Sequence, residues 1–298
     1  MKMLGMLIKR NTKLFFKDKG MFFTSLITPV ILLVLYATFL GNVYRDSFLS
    51  AIPEGLSLSE AVIEGCVGGQ LISSILAVSC VTVAFCSNML MVQDRANRTV
   101  MDLTVSPVKA HTLSLGYYCA SLISTLIICL VAMALCLGYV ATIGWYLSVS
   151  DVLFLVLDVV LLTLFGTALS SVLHFFLSTQ GQISAVGSIV SSCYGFICGA
   201  YMPISQFSKG LQTAISFLPG TYGTALVRNH AMRGVFAEME SMGLPSEVVE
   251  MMKDGIDCNL YFFDHKVGMS AMYAVVAGAV VLLVGLYILM NYLRARKR

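Results

Sequence analysis

The residues best placed to do chemistry lie between Asp94 and Pro107, in the run DRANRTVMDLTVSP. Asp94, Arg95, Arg98 and Asp102 carry charge there. Val100, Leu103 and Val105 recur among them, and Pro107 stops the pattern. A polar start, recurring apolar residues and a terminal proline describe a short amphipathic helix. Its chemistry would be docking: apolar anchors seat in a partner and charges stay at the rim. A plain connecting loop is the competing reading on spacing alone.

Other chemistries find little support. There is no GxxxxGK[ST], so the usual phosphate cradle cannot form and ATP should not bind by that route. HExxH and GxSxG are absent, and His111, His174, His230 and His265 fall in separate segments. No catalytic residue and no metal site is expected. Asp158 and His174 share one apolar run, but sixteen residues of helix separate them by about 24 Å. They cannot act as a pair. Asp158 remains a candidate, because an ionisable group inside a membrane span is a functional hypothesis by default. Structural hydrogen bonding competes with a substrate or proton role.

Two apolar runs are also unusually polar. One holds Gln70, Ser73, Ser74, Ser79, Thr82, Ser87 and Asn88. The other holds Gln182, Ser184, Ser188, Ser191, Ser192 and Tyr194, with Gly187, Gly195 and Gly199. Small residues and hydroxyls suit close helix packing. Lining a pathway would use the same residues, so both readings stay open.

The elements that position these groups follow from composition. Of 298 residues, 58% are hydrophobic and 12% charged, with a mean hydropathy of +0.85. A soluble domain carries about 25% charged residues. The chain is therefore expected to be an all-α polytopic membrane protein, a single transmembrane domain over residues 1–298. The nine cysteines lie mostly inside apolar runs, without CxxC spacing, and read as small buried hydrophobes. Cys66 and Cys258 are expected nearest the outer surface. A disulfide between them is left open, since spacing does not fix its geometry.

Residues 1–20 hold an amphipathic helix with Leu4, Leu7, Ile8, Leu14 and Phe15 among basic residues, suited to an anionic leaflet. Six spans are expected at Met21–Leu40, Val67–Met91, Leu113–Leu137, Val152–Leu177, Gln182–Met202 and Val267–Tyr292. The first is too long for a signal peptide and is read as retained. With the amino terminus cytoplasmic, 13 of the 19 basic residues fall inside and 6 outside. That bias puts both termini in the cytoplasm. Gly41–Cys66 reads as an acidic outer loop. Residues 203–227 read as a re-entrant hairpin, since each apolar piece is too short to span and Leu218-Pro219-Gly220 breaks the run. Arg228 to Lys266 reads as external, with a short surface helix over Ser246–Lys253. Span six and a basic tail follow over residues 267–298.

The polar island resembles the loop between the second and third transmembrane helices of type-2 ABC exporter permeases. Asp94, Arg95, Thr99, Leu103, Ser106, Pro107 and Val108 stand in matching positions without a gap. Arg98 stands where that family usually has Gly, and Met101 where an acid is common. Gly199 to Pro203 and Leu218 to Tyr222 are similar to the family's end of helix five and its later Leu-Pro-x-Thr-Tyr. The resemblance implies that Asp94, Arg95, Arg98, Thr99, Val100, Asp102, Leu103 and Pro107 couple the chain to a separate ATPase subunit, which would carry the ATP and Mg. It implies a second permease subunit, with the two polar helices facing a dimer cavity. Asn88, Asp158, Gln182, Ser184, Ser188 and Ser191 are then the substrate-pathway candidates. Export across the cytoplasmic membrane would be the function. An ion-gradient transporter or channel is the alternative, and no nucleic-acid partner is expected. A cavity of Ser, Gly, Met and aromatics would suit an amphipathic or lipid-like molecule, among many others.

Overall fold

The computed structural model describes residues 2–51, 58–100, 108–263 and 265–296. Helix α1 covers Lys2–Lys17 and α2 covers Lys19–Leu35. Asp18 separates them, and its carboxylate accepts from the amide of Met21, a helix-starting bond. A π-helical turn at Tyr36–Leu40 carries the chain into α3, Gly41–Ala51. Next come α4, Glu60–Ala96; α5, Ala110–Ile143; α6, Val149–Phe176; and α7, Gln180–Ile197. Helices α8, Lys209–Ser216, α9, Pro219–Ser241, and α10, Ser246–Gly255, follow. Strands β1, Leu260–Phe262, and β2, His265–Val267, pair antiparallel with Leu260 opposite Val267. Helix α11, Met269–Arg296, completes the described chain.

Helix α4 is the axis. It is buried along almost its whole length and packs against α2, α5, α6, α7 and α9. Glu60 lies in its first turn and Arg95 in its last, each opposite in sign to the local end of the helix dipole. Capping boxes start the two helices that follow α5: Ser148 with Asp151 for α6, and Thr179 with Gln182 for α7.

Among the described residues five helices are long and apolar enough to cross a membrane: Lys19–Asp46, Glu60–Ala96, His111–Ile143, Val149–Phe176 and Met269–Arg294. Helix α7, in the place expected for the fifth of six spans, is not among them. It is 18 residues long and rich in Ser, Gly and Gln. It ends in a tight turn where Gly199 takes φ +72°, a conformation open to glycine.

Several expected boundaries move, while the fold is all-α as expected, with one short β-hairpin between α10 and α11. The loop read over Gly41–Cys66 is largely helix. Tyr36 and Tyr44 stack at 5.5 Å, the Tyr36 hydroxyl donates to Ser74 at 2.8 Å, and that of Tyr44 to the carbonyl of Tyr201 at 3.2 Å. Polarity there marks the end of the apolar run, not of the helix. Likewise α9 does not stop at Val227. Arg228 and His230 are buried within it because internal partners meet both. Arg228 donates to the carbonyls of Ile256 at 2.6 Å and Gly199 at 2.7 Å and lies 3.6 Å from Asp257. Cys66 and Cys258 are both buried, and both are free thiols. Helix α1 buries Leu7, Asn11 and Phe15, and packs chiefly on α5, with Leu7 against Gly116.

Candidate functional site

The end of α4 delivers Asp94 and Arg95 to a junction of helices. Asp94 is buried. Its Oδ2 accepts from Arg10 Nη1 of α1 at 2.9 Å and from the Tyr117 hydroxyl of α5 at 2.6 Å. Arg10 also donates to Asn11 Oδ1 at 2.7 Å. Its hydrogen bond to the Asp94 carboxylate holds the Arg10 guanidinium above its ordinary pKa, against the opposing effect of burial.

Arg95 reaches the other way. Its Nη1 donates to the carbonyls of His174 at 3.1 Å, Phe175 at 2.9 Å and Leu177 at 3.4 Å. These carbonyls lie at the carboxyl end of α6, where that of His174 also accepts from the Leu177 amide at 3.2 Å, and a cation there complements the dipole. Its guanidinium lies 5.6 Å from the Phe175 ring centroid. Arg294 of α11 approaches the same ring at 5.1 Å.

Beyond Ala96 the helix breaks. Asn97 donates to Gln93 and Arg98 to Arg95, and Arg98 takes φ +60°. This is the left-handed region that glycine adopts readily and other residues at a cost. The backbone thus explains why a glycine would suit this position. Arg98 is exposed, and Thr99 and Val100 begin a new helical turn, half-buried. Asp102, Leu103, Val105 and Pro107 lie outside the described residues.

The pathway candidates separate into two groups. Asn88 and Asp158 are internal. Asn88 Nδ2 donates to the carbonyl of Thr167 at 3.3 Å and to Ser171 Oγ at 3.2 Å, joining α4 to α6. Its Oδ1 is buried and meets no partner among the described residues. Asp158 accepts from the Tyr273 hydroxyl of α11 at 2.5 Å on Oδ1, and its Oδ2 lies 2.6 Å from His230 Nδ1 of α9. Phe154 stacks on the His230 ring at 4.8 Å. Both carboxylate oxygens are occupied, so this arrangement ties three helices together. Ser184 and Ser188 are exposed on one side of α7, with Ser191 half-buried on the same side, and Gln182 is exposed at the start of the helix on the other. Gln182 also caps its helix, accepting from the amides of Ser178 at 2.8 Å and Thr179 at 3.2 Å. Helix α7 packs mainly on α4, leaving this small-residue face uncovered.

His174 is buried on α6 beside Ser170. Sequence reasoning missed Arg10, Tyr117, His230 and Tyr273. Arg10 carried one signal: it falls one residue before Asn11 on the buried side of an otherwise lysine-rich helix. His230 carried none, because it followed an arginine that read as the start of external chain. Among the described residues no group of three or more His, Cys, Asp or Glu could hold a metal ion.

The model of the ABC-2 type transporter family matches residues 3–231, from α1 into α9. No curated protein matches the chain.

Proposed function

The chain belongs to the ABC-2 type transporter family, and on that premise we propose that it is the permease subunit of an exporter driven by a separate ATPase subunit. The observation that carries this reading is the end of α4. An acid–arginine pair closes the helix, Arg98 breaks it in a left-handed conformation, and a new helical turn begins at Thr99. That is the geometry an amphipathic docking helix needs to leave the bundle and face a partner. ATP and Mg would bind on that partner.

In this reading the bundle crosses the cytoplasmic membrane six times, with α7 as the fifth crossing and α8 with the start of α9 as an outer re-entrant hairpin. Close packing supports the hairpin. A Cβ on Gly223 would meet Leu162 Cδ2 at 2.3 Å, so the start of α9 lies against the middle of α6. Both termini lie in the cytoplasm, which fits the exposed lysines of α1. A second permease subunit covers the uncovered face of α7, and Gln182, Ser184, Ser188 and Ser191 line the shared pathway. An amphipathic, lipid-like molecule is the substrate class that suits those walls. The ion-gradient alternative leaned on Asp158, whose oxygens are both engaged by neighbours.

The test is reconstitution. The purified chain alone should hydrolyse no ATP. With its ATPase in vesicles it should move a lipid-like probe only when ATP is present. Robust hydrolysis by the chain alone, or movement driven by an ion gradient without ATP, would overturn the proposal.

A further inference from the structure

The acid–arginine pair ahead of the docking segment was expected to offer rim charges to a partner protein. The structure gives those two side chains other work. Asp94 holds α1 and α5 through Arg10 and Tyr117. Arg95 holds the last turn of α6 through three carbonyls, and shares the Phe175 ring with Arg294 of α11. Two consecutive residues of α4 thus engage three other helices directly and meet α11 at the shared Phe175 ring, and they stand three residues or fewer from the break that begins at Asn97.

We infer that Asp94 and Arg95 are the positioning residues that pass movement of the docking segment into the bundle, Asp94 to α1 and α5 and Arg95 to α6 and α11. The inference rests on the proposed ATPase partner for its functional half. The physical argument is one of stiffness. Charge-assisted hydrogen bonds in a buried setting are short and directional. A pull on the segment after Arg98 therefore moves these contacts together rather than bending the helix end. Arg95 also sets the junction between α6 and α7. It holds the Leu177 carbonyl, and α7 begins at Gln180. In this way the same pull reaches the helix whose polar face is uncovered.

Two experiments separate this from plain docking and from plain stability. The first uses the isolated chain in lipid nanodiscs and follows amide hydrogen exchange. Asp94→Asn and Arg10→Gln should each speed exchange within α1 about tenfold, since the lost contact is charge-assisted. Arg95→Gln should speed exchange at the α6–α7 junction and leave α1 unchanged. The second uses the complex with its ATPase. All three variants should retain the partner within about twofold of wild type, yet move about fivefold fewer substrate molecules per ATP. Exchanging the charges, Arg10→Asp with Asp94→Arg, restores the ion pair and should recover that ratio; a merely structural role would leave the ratio unchanged in every variant that keeps its ATPase. Unchanged exchange, loss of the ATPase from these variants, or an unchanged ratio would each overturn the inference. If the wild-type chain held no ATPase, the proposed function would fall, and the exchange experiment would decide the intrachain links by itself.

Discussion

His230 Nδ1 lies 2.6 Å from Asp158 Oδ2, although 72 residues separate the two in the chain. The pair is buried, with Tyr273 completing the carboxylate's shell. Its neighbours further out are Asp151 and Arg233, themselves paired at 2.6 Å. The first prediction concerns this cluster. His230→Ala removes a partner from a buried carboxylate and should cost about 3–5 kcal/mol of stability. Asp158→Asn keeps an acceptor for the imidazole and should cost about 1–2 kcal/mol. Thermal unfolding in detergent ranks the two. An Asp158→Asn chain with wild-type stability but no transport would instead return Asp158 to the substrate pathway.

Arg98 provides a backbone test. Its left-handed φ tolerates glycine, so Arg98→Gly should leave stability within about 0.5 kcal/mol of wild type or raise it. Arg98→Val places a β-branched side chain there and should lose about 1–2 kcal/mol. Melting temperatures of the three chains check the order. Equal stability for Arg98→Val would argue that the left-handed turn does not persist in solution.

The proposed docking segment makes the sharpest functional contrast. On the proposed reading Leu103 would be the central apolar anchor of the segment, and full burial of a leucine is worth about 1.5–3 kcal/mol. Leu103→Asp should therefore strip the ATPase from the complex, while Arg98→Ala should not. Co-purified ATPase and membrane yield are the two measurements. If Leu103→Asp retains its partner and full activity, the segment is a plain connection.

Acid provides a test outside the bundle. Hydrogen bonds from Lys266 and then Lys253 hold the Glu250 carboxyl down at about 2, from an ordinary value of 4.5. A depressed carboxylate contributes stability that is complete above its unfolded pKa and lost as pH falls toward its folded pKa. The side chain is 46% exposed, so the contribution is small and salt-sensitive. The melting difference between wild type and Glu250→Gln should hold steady from about pH 7 to 5 and shrink below about pH 4. Growth of that difference on acidification would contradict the sign.

Labelling locates the same region. Lys253, on α10, should react with an impermeant amine reagent from outside the cell, and Lys13, on α1, only after the membrane is opened. Reaction of Lys253 solely from the cytoplasmic side would overturn the six-crossing reading.

Much of the helical frame was legible in the sequence because lipid contact demands apolar runs of a known length. Val149–Phe176 and Met269–Arg296 fall within a few residues of the runs that announced them. Helix ends were less legible, since hydropathy reports where the bilayer stops. Gly41–Ala51 continues as helix past its apolar run. The interior of α9 was hidden for a different reason. Arg228 and His230 look like water-facing residues until Gly199, Ile256 and Asp158 arrive to meet them, and those partners are far away in sequence. At the candidate site, the charges of Asp94 and Arg95 were visible and their direction was not. Nothing in the spacing says that Tyr117 and the end of α6 absorb them. The resemblance identified the segment, and its central residues lie outside the described chain.

The sheathing of α4 has a consequence for biogenesis. A helix that ends up surrounded by protein is first threaded into lipid with few neighbours to shield it. Its Gln70, Ser73, Ser74 and Asn88 serve the finished bundle, whereas its Leu, Ile and Val content serves entry into the bilayer. Helix α7 lacks that apolar surplus. Only Leu177, Ser178 and Thr179 separate it from α6. On the six-crossing reading, α7 enters the membrane as the second arm of a helical hairpin, carried by α6. Lengthening that three-residue joint should then strand α7 outside the bilayer while leaving α6 in place.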